Sequence, residues 1–349
     1  MNDSIVTISK TNNNRPLQYD YYIAVDWSQI NMAIATSTRK SEQIHTCDLR
    51  SNLGELKDYL HNLKGRKIIT IEECPAAQWL YVELADYVDH VLVCDPYRNR
   101  LLTDGAKNDV LDAEKLCLLL KNGLLKEVFH THNNLFELRK YVSAYEDIIK
   151  AGVRIKNQRS SIFRSEGKNF RKDAIETDAN NFIVDILDKN IEAYEENKKK
   201  YQSLFSKITK RNTLLRNLCK IPGIDIVSAV KILANVVDAQ RFSKKGNYLA
   251  YCGLVKHKRI SGQKTYGLRK PRFNRTLKSV YKCAAMVSIT VKNNPLRNYY
   301  EDLISKGVEA YNARNAVARH IATITYGMLK SGEKYRPYNQ KEKIVKTID

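Results

Sequence analysis

The sequence predicts an α/β domain, then long helices, then a basic and mainly helical C-terminal part. Three observations carry this expectation. Through residues 19–128, short apolar runs alternate with runs of helical period, as when strands and helices take turns along a chain. Residues 133–212 hold no proline and only two glycines, and their apolar residues recur at helical spacing. The charge is divided: of a net +21, residues 1–128 contribute −3 (15 Lys/Arg, 18 Asp/Glu) and residues 129–349 contribute +24 (44 against 20).

The chain is long enough for two or three domains, and 43% hydrophobic residues support packed cores. Residues 1–18 read as a polar tail rather than a signal peptide, and 336–349 as a second tail. Between them the expected domains are 19–128, 129–212 and 213–335. Seven scattered cysteines without a CxxC pair point to reduced thiols in a cytoplasm and away from zinc. There is no apolar run of 18 residues, so no membrane partner is expected.

Taken in order, "YYIAVDWSQ" (21–29) is an apolar strand that carries Asp26. Residues 31–40 and 41–49 read as two further strands. Leu53, Leu56, Leu60 and Leu63 mark a helix over 52–63. "KIITIEE" (67–73) is a buried strand ending in Glu72 and Glu73. Residues 76–88 form an amphipathic helix, and 90–96 a strand stopped by Pro96. A helix containing Asp109 and Asp112 closes the series. This order is the layout of a ribonuclease-H-like α/β domain, with three antiparallel strands and then parallel ones.

In that layout Asp26 lies on the first, central strand and Glu72 near the end of the fourth. Asp109 and Asp112 share a helix face, being three residues apart. Four gathered carboxylates repel one another unless cations neutralise them. Oxygen-only ligands suit Mg²⁺ or Mn²⁺, and two such ions about 4 Å apart can serve a phosphoryl transfer. Each acid also has a plain reading: Asp109 and Asp112 as helix-start residues, Asp26 as a turn residue. Glu73 rivals Glu72, because adjacent strand residues face opposite ways.

The middle region carries two apolar stripes. One runs through Leu135, Leu138, Val142, Tyr145, Ile149 and Val153. After a break near Gly167, the other runs through Ile183, Ile186, Leu187, Ile191, Tyr194, Tyr201, Leu204 and Ile208. Such helices form an antiparallel pair within the chain or dimerise. Lys156, Arg159, Arg164, Lys168, Arg171 and Lys172 near the turn are either phosphate contacts or a solvated face.

From Ala239 to Tyr300 there are 15 Lys/Arg and no acid. A stretch of one sign points to a polyanion, most simply nucleic acid. Lys256, Lys258, Arg259, Lys264, Arg269, Lys270, Arg272 and Arg275 are the candidate phosphate contacts. "IPGID" (221–225) resembles the turn of a helix-hairpin-helix, with Asp225 where a second glycine is usual. Ser261 and Gly262 read as a loop among cations. The plain reading of Ser261 is a turn residue. The functional one is a nucleophile whose neighbours stabilise a pentavalent phosphate, with His257 the nearest base. Residues 315–332 are a closing helix.

"KNDVLDAEKL" with "GLL" soon after, together with "IPGI", "RF", "AYCGL", "SG" and "AVAR", resembles one family over roughly residues 20–335. It is the DEDD transposases of bacterial insertion sequences, the bridge-RNA-guided recombinases related to pilin-gene invertases. The chain departs from that pattern at "ECPAAQW" and "RKPRFNRTLK". The resemblance implies a RuvC-like first domain in which Asp26, Glu72, Asp109 and Asp112 hold Mg²⁺ or Mn²⁺. It implies Ser261 as the nucleophile that joins to a DNA phosphate. It implies donor and target DNA, a bridge RNA and a homo-oligomer (a dimer, or a tetramer on DNA) as partners, in the nucleoid of a bacterial cytoplasm. A metal-dependent junction nuclease without a covalent serine step, and an inactive nucleic-acid-binding relative, stay open beside it.

Overall fold

The computed structural model describes residues 18–99, 108–132, 135–262, 264–269 and 271–337. Lys270 and most of both tails lie outside these residues. The chain divides into two compact units, 1–132 and 133–349.

Unit 1 holds a five-stranded sheet in the order β3-β2-β1-β4-β5. Its strands are β1 (Tyr21–Trp27), β2 (Asn31–Thr38), β3 (Ile44–Arg50), β4 (Lys67–Glu72) and β5 (His90–Cys94). The first three pair antiparallel, while β4 runs parallel to both β1 and β5. The strand directions are those expected, with β1 central. The two sheet faces differ in side-chain size. Ile23, Val25, Met32, Ile34, Ile69 and Ile71 point to one face and pack on α1 (Leu53–Asn62) and α2 (Ala77–Leu84). Ala24, Ala33 and Ala35 point to the other and pack on Ala113, Leu116, Cys117 and Leu120 of α4 (Asp109–Lys121). Alanines on that face let the helix lie close to the strands.

Two expectations are corrected here. The helix expected over 76–88 ends at Leu84. Asp89 accepts a hydrogen bond from the Lys67 amide at 2.8 Å, which draws the following residues into a turn at the sheet edge. A short helix, α3 (Pro96–Asn99), follows the last strand at the proline that stops it. The segment after α4 then returns along the open edge of β5, where Val128 donates to the Val93 carbonyl at 2.7 Å. That cover removes an exposed strand edge.

Unit 2 begins with α5 (Leu135–Ser165) and α6 (Asp178–Arg211), an antiparallel pair within the chain. Tyr145 meets Tyr201 and Phe205, Arg159 pairs with Asp188, and Phe163 packs with Val184. The expected stripes are corrected at their ends. Ile183 and Ile186 are exposed, and Val184 is buried beside Leu187, which keeps its expected place; Val153 is also exposed. The base of this pair shares one core with α7 (Thr213–Leu218), α8 (Ile226–Val236), α9 (Lys245–Tyr251), α10 (Arg275–Thr290), α11 (Pro295–Ser305) and α12 (Ala310–Ser331). Tyr248 and Tyr281, both fully buried there, hydrogen-bond through their hydroxyls. The closing helix starts five residues earlier than expected.

The turn before α8 depends on Gly223. Its φ is +88°, and a Cβ there would lie 2.2 Å from the Ala284 carbonyl oxygen of α10. Only glycine admits both the left-handed backbone and the close approach. The largest correction in unit 2 concerns Ser261. The expected loop is a two-stranded antiparallel ribbon, β6 (His257–Ser261) and β7 (Lys264–Arg269), exposed along its whole length.

Candidate functional site

In unit 1 the carboxylates gather toward one end. Val25 pairs with Ile71, so Asp26 and Glu72 follow one step on along adjacent parallel strands. By alternation both fall on the face of Ala24 and Ile68, which α4 covers. Glu73 falls on the other side, with its Oε2 2.6 Å from His130 Nε2. Of the two glutamates, Glu72 is therefore the one that shares a face with Asp26.

Helix α4 runs back over β1. The Cys117 thiol donates to the Tyr22 carbonyl at 3.2 Å, and Lys121 reaches the Ser41 carbonyl at 2.6 Å. From Cys117 back to Asp109 is about 12 Å of helix, and from Tyr22 to Asp26 about 13 Å of strand. The first turn of α4 thus comes level with Asp26. Asn108 caps that turn, accepting from the Val110 amide at 3.0 Å, a cap that sequence reasoning missed. Asp109 is exposed, while Asp112 is half-buried with Lys115 at 3.8 Å. Both acids sit where the helix dipole favours negative charge.

The donor chemistry suits Mg²⁺ or Mn²⁺, but the positions do not yet make a ligand set. Among the described residues no three His, Cys, Asp or Glu side chains stand close enough to hold a metal ion. Asp26 and Glu72 are brought to one face; Asp109 and Asp112 are brought to the same end.

A second polar group in unit 1 went unseen in the sequence. His130, far from the sheet in sequence, sets its Nδ1 2.8 Å from Gln78 Oε1 and its Nε2 against Glu73. Its ring lies beside Tyr81. No fixed spacing links these residues, so only the tertiary fold reveals them.

In unit 2 Ser261 lies at the tip of the ribbon, paired with Lys264 and followed by Gly262, whose φ of +51° makes the turn. Lys258 pairs with Leu268, Arg259 with Gly267, and His257 with Arg269. All of these side chains are exposed. None of Lys258, Arg259, Lys264 and Arg269 pairs with a carboxylate among the described residues. Arg272 and Arg275 are exposed at the entry to α10. Lys256, just before the ribbon, lines a cleft. Because β6 is extended, His257 sits about 13 Å along it from Ser261. That corrects His257 as the base beside the serine.

The hairpin at 221–225 offers no open phosphate site. Asp225 caps α8, accepting from the Ser228 amide at 2.7 Å, so a carboxylate already occupies the helix N-terminus. Three of the six cations near the tip of the α5–α6 pair form ion pairs: Lys156 with Glu195, Arg159 with Asp188, Lys168 with Glu176.

Residues 215–301 match the Transposase IS116/IS110/IS902 family. The matched segment runs from α7 into α11 and includes the ribbon and Ser261. A curated relative, the insertion element IS110 uncharacterized 43.6 kDa protein of Streptomyces coelicolor, is 24% identical over 154 residues. That alignment covers 44% of this chain and 38% of the relative. Among the described residues, no helix is long and apolar enough to cross a membrane.

Proposed function

We propose that the chain is an insertion-sequence transposase that cuts and rejoins DNA strands, with Ser261 as the nucleophile. The observation that carries this reading is the coincidence of the transposase-family segment with the acid-free ribbon that bears Ser261 at its tip. In the proposed step the Ser261 Oγ attacks a strand phosphate. A Ser–O–P bond forms, the P–O bond of the strand breaks, and the released strand oxygen ends as a hydroxyl that takes up the proton. Unpaired cations around the tip stabilise the charge that develops on phosphorus.

Unit 1 supplies the second part of the reading. Its strand order supports a ribonuclease-H-like, RuvC-like domain, and its acids are the residues that would hold Mg²⁺ or Mn²⁺. A metal bound there would supply Lewis-acid stabilisation. The donor and target DNA follow from the family segment, whereas a bridge RNA and a homo-oligomer enter from the resemblance alone.

The test is to trap a covalent protein–DNA adduct on a substrate carrying the element's own end. Ser261→Ala should abolish the adduct while leaving DNA affinity within about twofold, because an exposed hydroxyl contributes little to binding. A full yield of adduct from Ser261→Ala would end the serine assignment. Strand cleavage without any adduct would favour a nuclease that uses water.

A further inference from the structure

Unit 2 contains a cleft of about 470 Å³ at the base of the ribbon, away from Ser261. It lies between the 253–256 turn, α10 and the start of α12. Lys256, Lys278, Lys282 and Arg319 line it, and no carboxylate does. Among the described residues, Lys256, Lys282 and Arg319 form no ion pair. Cations that converge without a counter-charge repel one another, and an anion between them relieves that repulsion.

The cleft is not only cationic. Tyr311 stands at its wall with 61% of its surface exposed, and Leu268 of β7 at its lip with 59%. Lys282 Nζ lies 5.5 Å from the Tyr311 ring. The Tyr311 phenol is held below its ordinary pKa, first by a hydrogen bond from Asn315 and then by the charges of Lys282 and Lys256. An exposed aromatic face beside unpaired cations matches a base joined to a phosphate. The volume falls in the range of small-molecule sites, larger than a lone phosphate needs. A duplex keeps its bases stacked inside and offers no base to such a wall; an unpaired strand does.

We propose that this cleft takes one nucleotide of an unpaired nucleic-acid strand, the phosphate among Lys256, Lys282 and Arg319 and the base against Tyr311 and Leu268. The proposal rests on reading unit 2 as the nucleic-acid-handling part. His257, at the cleft end of the ribbon, is about 13 Å of strand from Ser261, so the cleft holds a different nucleotide from the one the serine meets. Its role is to position the strand. Lys282 and Arg319 come from α10 and α12, and α12 lies beyond the transposase-family segment.

The test uses the full chain with a 12-nucleotide strand of mixed sequence, as DNA, as RNA and as the DNA duplex. Tyr311→Ala should weaken single-strand binding about five- to 150-fold, the range for loss of one base–aromatic stack, with a smaller change on the duplex. Tyr311→Phe should retain affinity. Lys282→Gln and Arg319→Gln should each lower the salt slope on single strands by about 0.7. An iodouracil-substituted strand should photo-crosslink to the peptide containing Tyr311. All these positions are partly or largely exposed, so an unchanged melting temperature is expected. The DNA and RNA arms decide which strand the cleft prefers. Single-strand affinity unaffected by Tyr311→Ala and Lys282→Gln, with crosslinks confined to the ribbon, would overturn the proposal. If the Ser261 adduct still forms in that case, the cleft fails and the transposase reading stands. Weakened binding without any adduct in the unaltered protein gives the reverse.

Discussion

Glu166 holds the turn between the two long helices with a single carboxylate. It accepts from the Thr177 hydroxyl at 2.7 Å, the Asn180 amide at 2.8 Å and the Glu176 backbone N–H at 3.1 Å. These bonds favour its charged form and pull its pKa from 4.5 down to about 2, the Asn180 bond first. A carboxylate lowered in the folded state stabilises above its unfolded value, and that stability is lost as pH falls through the folded one. The turn should therefore loosen between about pH 4.5 and 2. Protection of the Glu176 amide against hydrogen exchange, corrected for intrinsic rate, should fall across that window. Glu166→Gln should lower protection at pH 6 and flatten its pH dependence. A flat profile in the unaltered protein would exclude the carboxylate as the clasp. Asp225 acts at the same scale: its cap on α8 puts negative charge where a helix-hairpin-helix would receive a phosphate.

At the scale of elements, the α5–α6 pair depends on a close approach. Gly152 faces Tyr194, and a Cβ at Gly152 would fall 2.3 Å from its ring. Gly152→Ala therefore forces the ring aside or the helices apart. Alanine is also the better helix former, by roughly 1 kcal/mol, so space and propensity oppose each other. The expected outcome is a net loss of about 1–3 kcal/mol, the range for overpacking, measured by urea unfolding. Tyr194→Leu should restore part of it, giving a coupling between the two sites. Additive losses would mean that the two helices tolerate the extra methyl by another route. The ribbon shows the opposite economy. Ile260, Tyr266 and Leu268 are all exposed, so β6 and β7 are held by their backbone ladder rather than by a core. An element of this kind orders readily on a partner.

At the scale of the whole molecule, charge and packing divide at the same place. Unit 1 is close to neutral, and Asp26, Glu72, Asp109 and Asp112 lie toward one end of its sheet. Unit 2 carries all of the excess positive charge, +24 against −3 in unit 1. Affinity for duplex DNA should fall with salt by about 0.9 logarithmic units per phosphate contacted. Arg259→Glu and Lys264→Glu should each reduce that slope, whereas charge changes at Lys57 or Lys64 in unit 1 should not. Equal sensitivity of the two units would refute the assignment of nucleic-acid contact to the basic stretch.

Apolar runs, the helix-period leucines and Pro96 suffice to read the elements of unit 1 in chain order, because strands buried on both faces appear as continuous apolar runs. The expected place of Asp26 and Glu72 comes from the likeness of that order to a ribonuclease-H-like layout. The charge division is likewise a property of sequence alone. The antiparallel partner of α5 was legible only as an alternative, since an apolar stripe does not name what covers it. The ribbon was hidden because its strands bury neither face, so their side chains follow no period of two. His130 against Glu73, and Lys282 and Arg319 with Tyr311 in one cleft, were hidden for another reason. Each joins residues distant in sequence, and only the packing of helices on helices and of the chain on its own sheet edge decides which distant side chains meet.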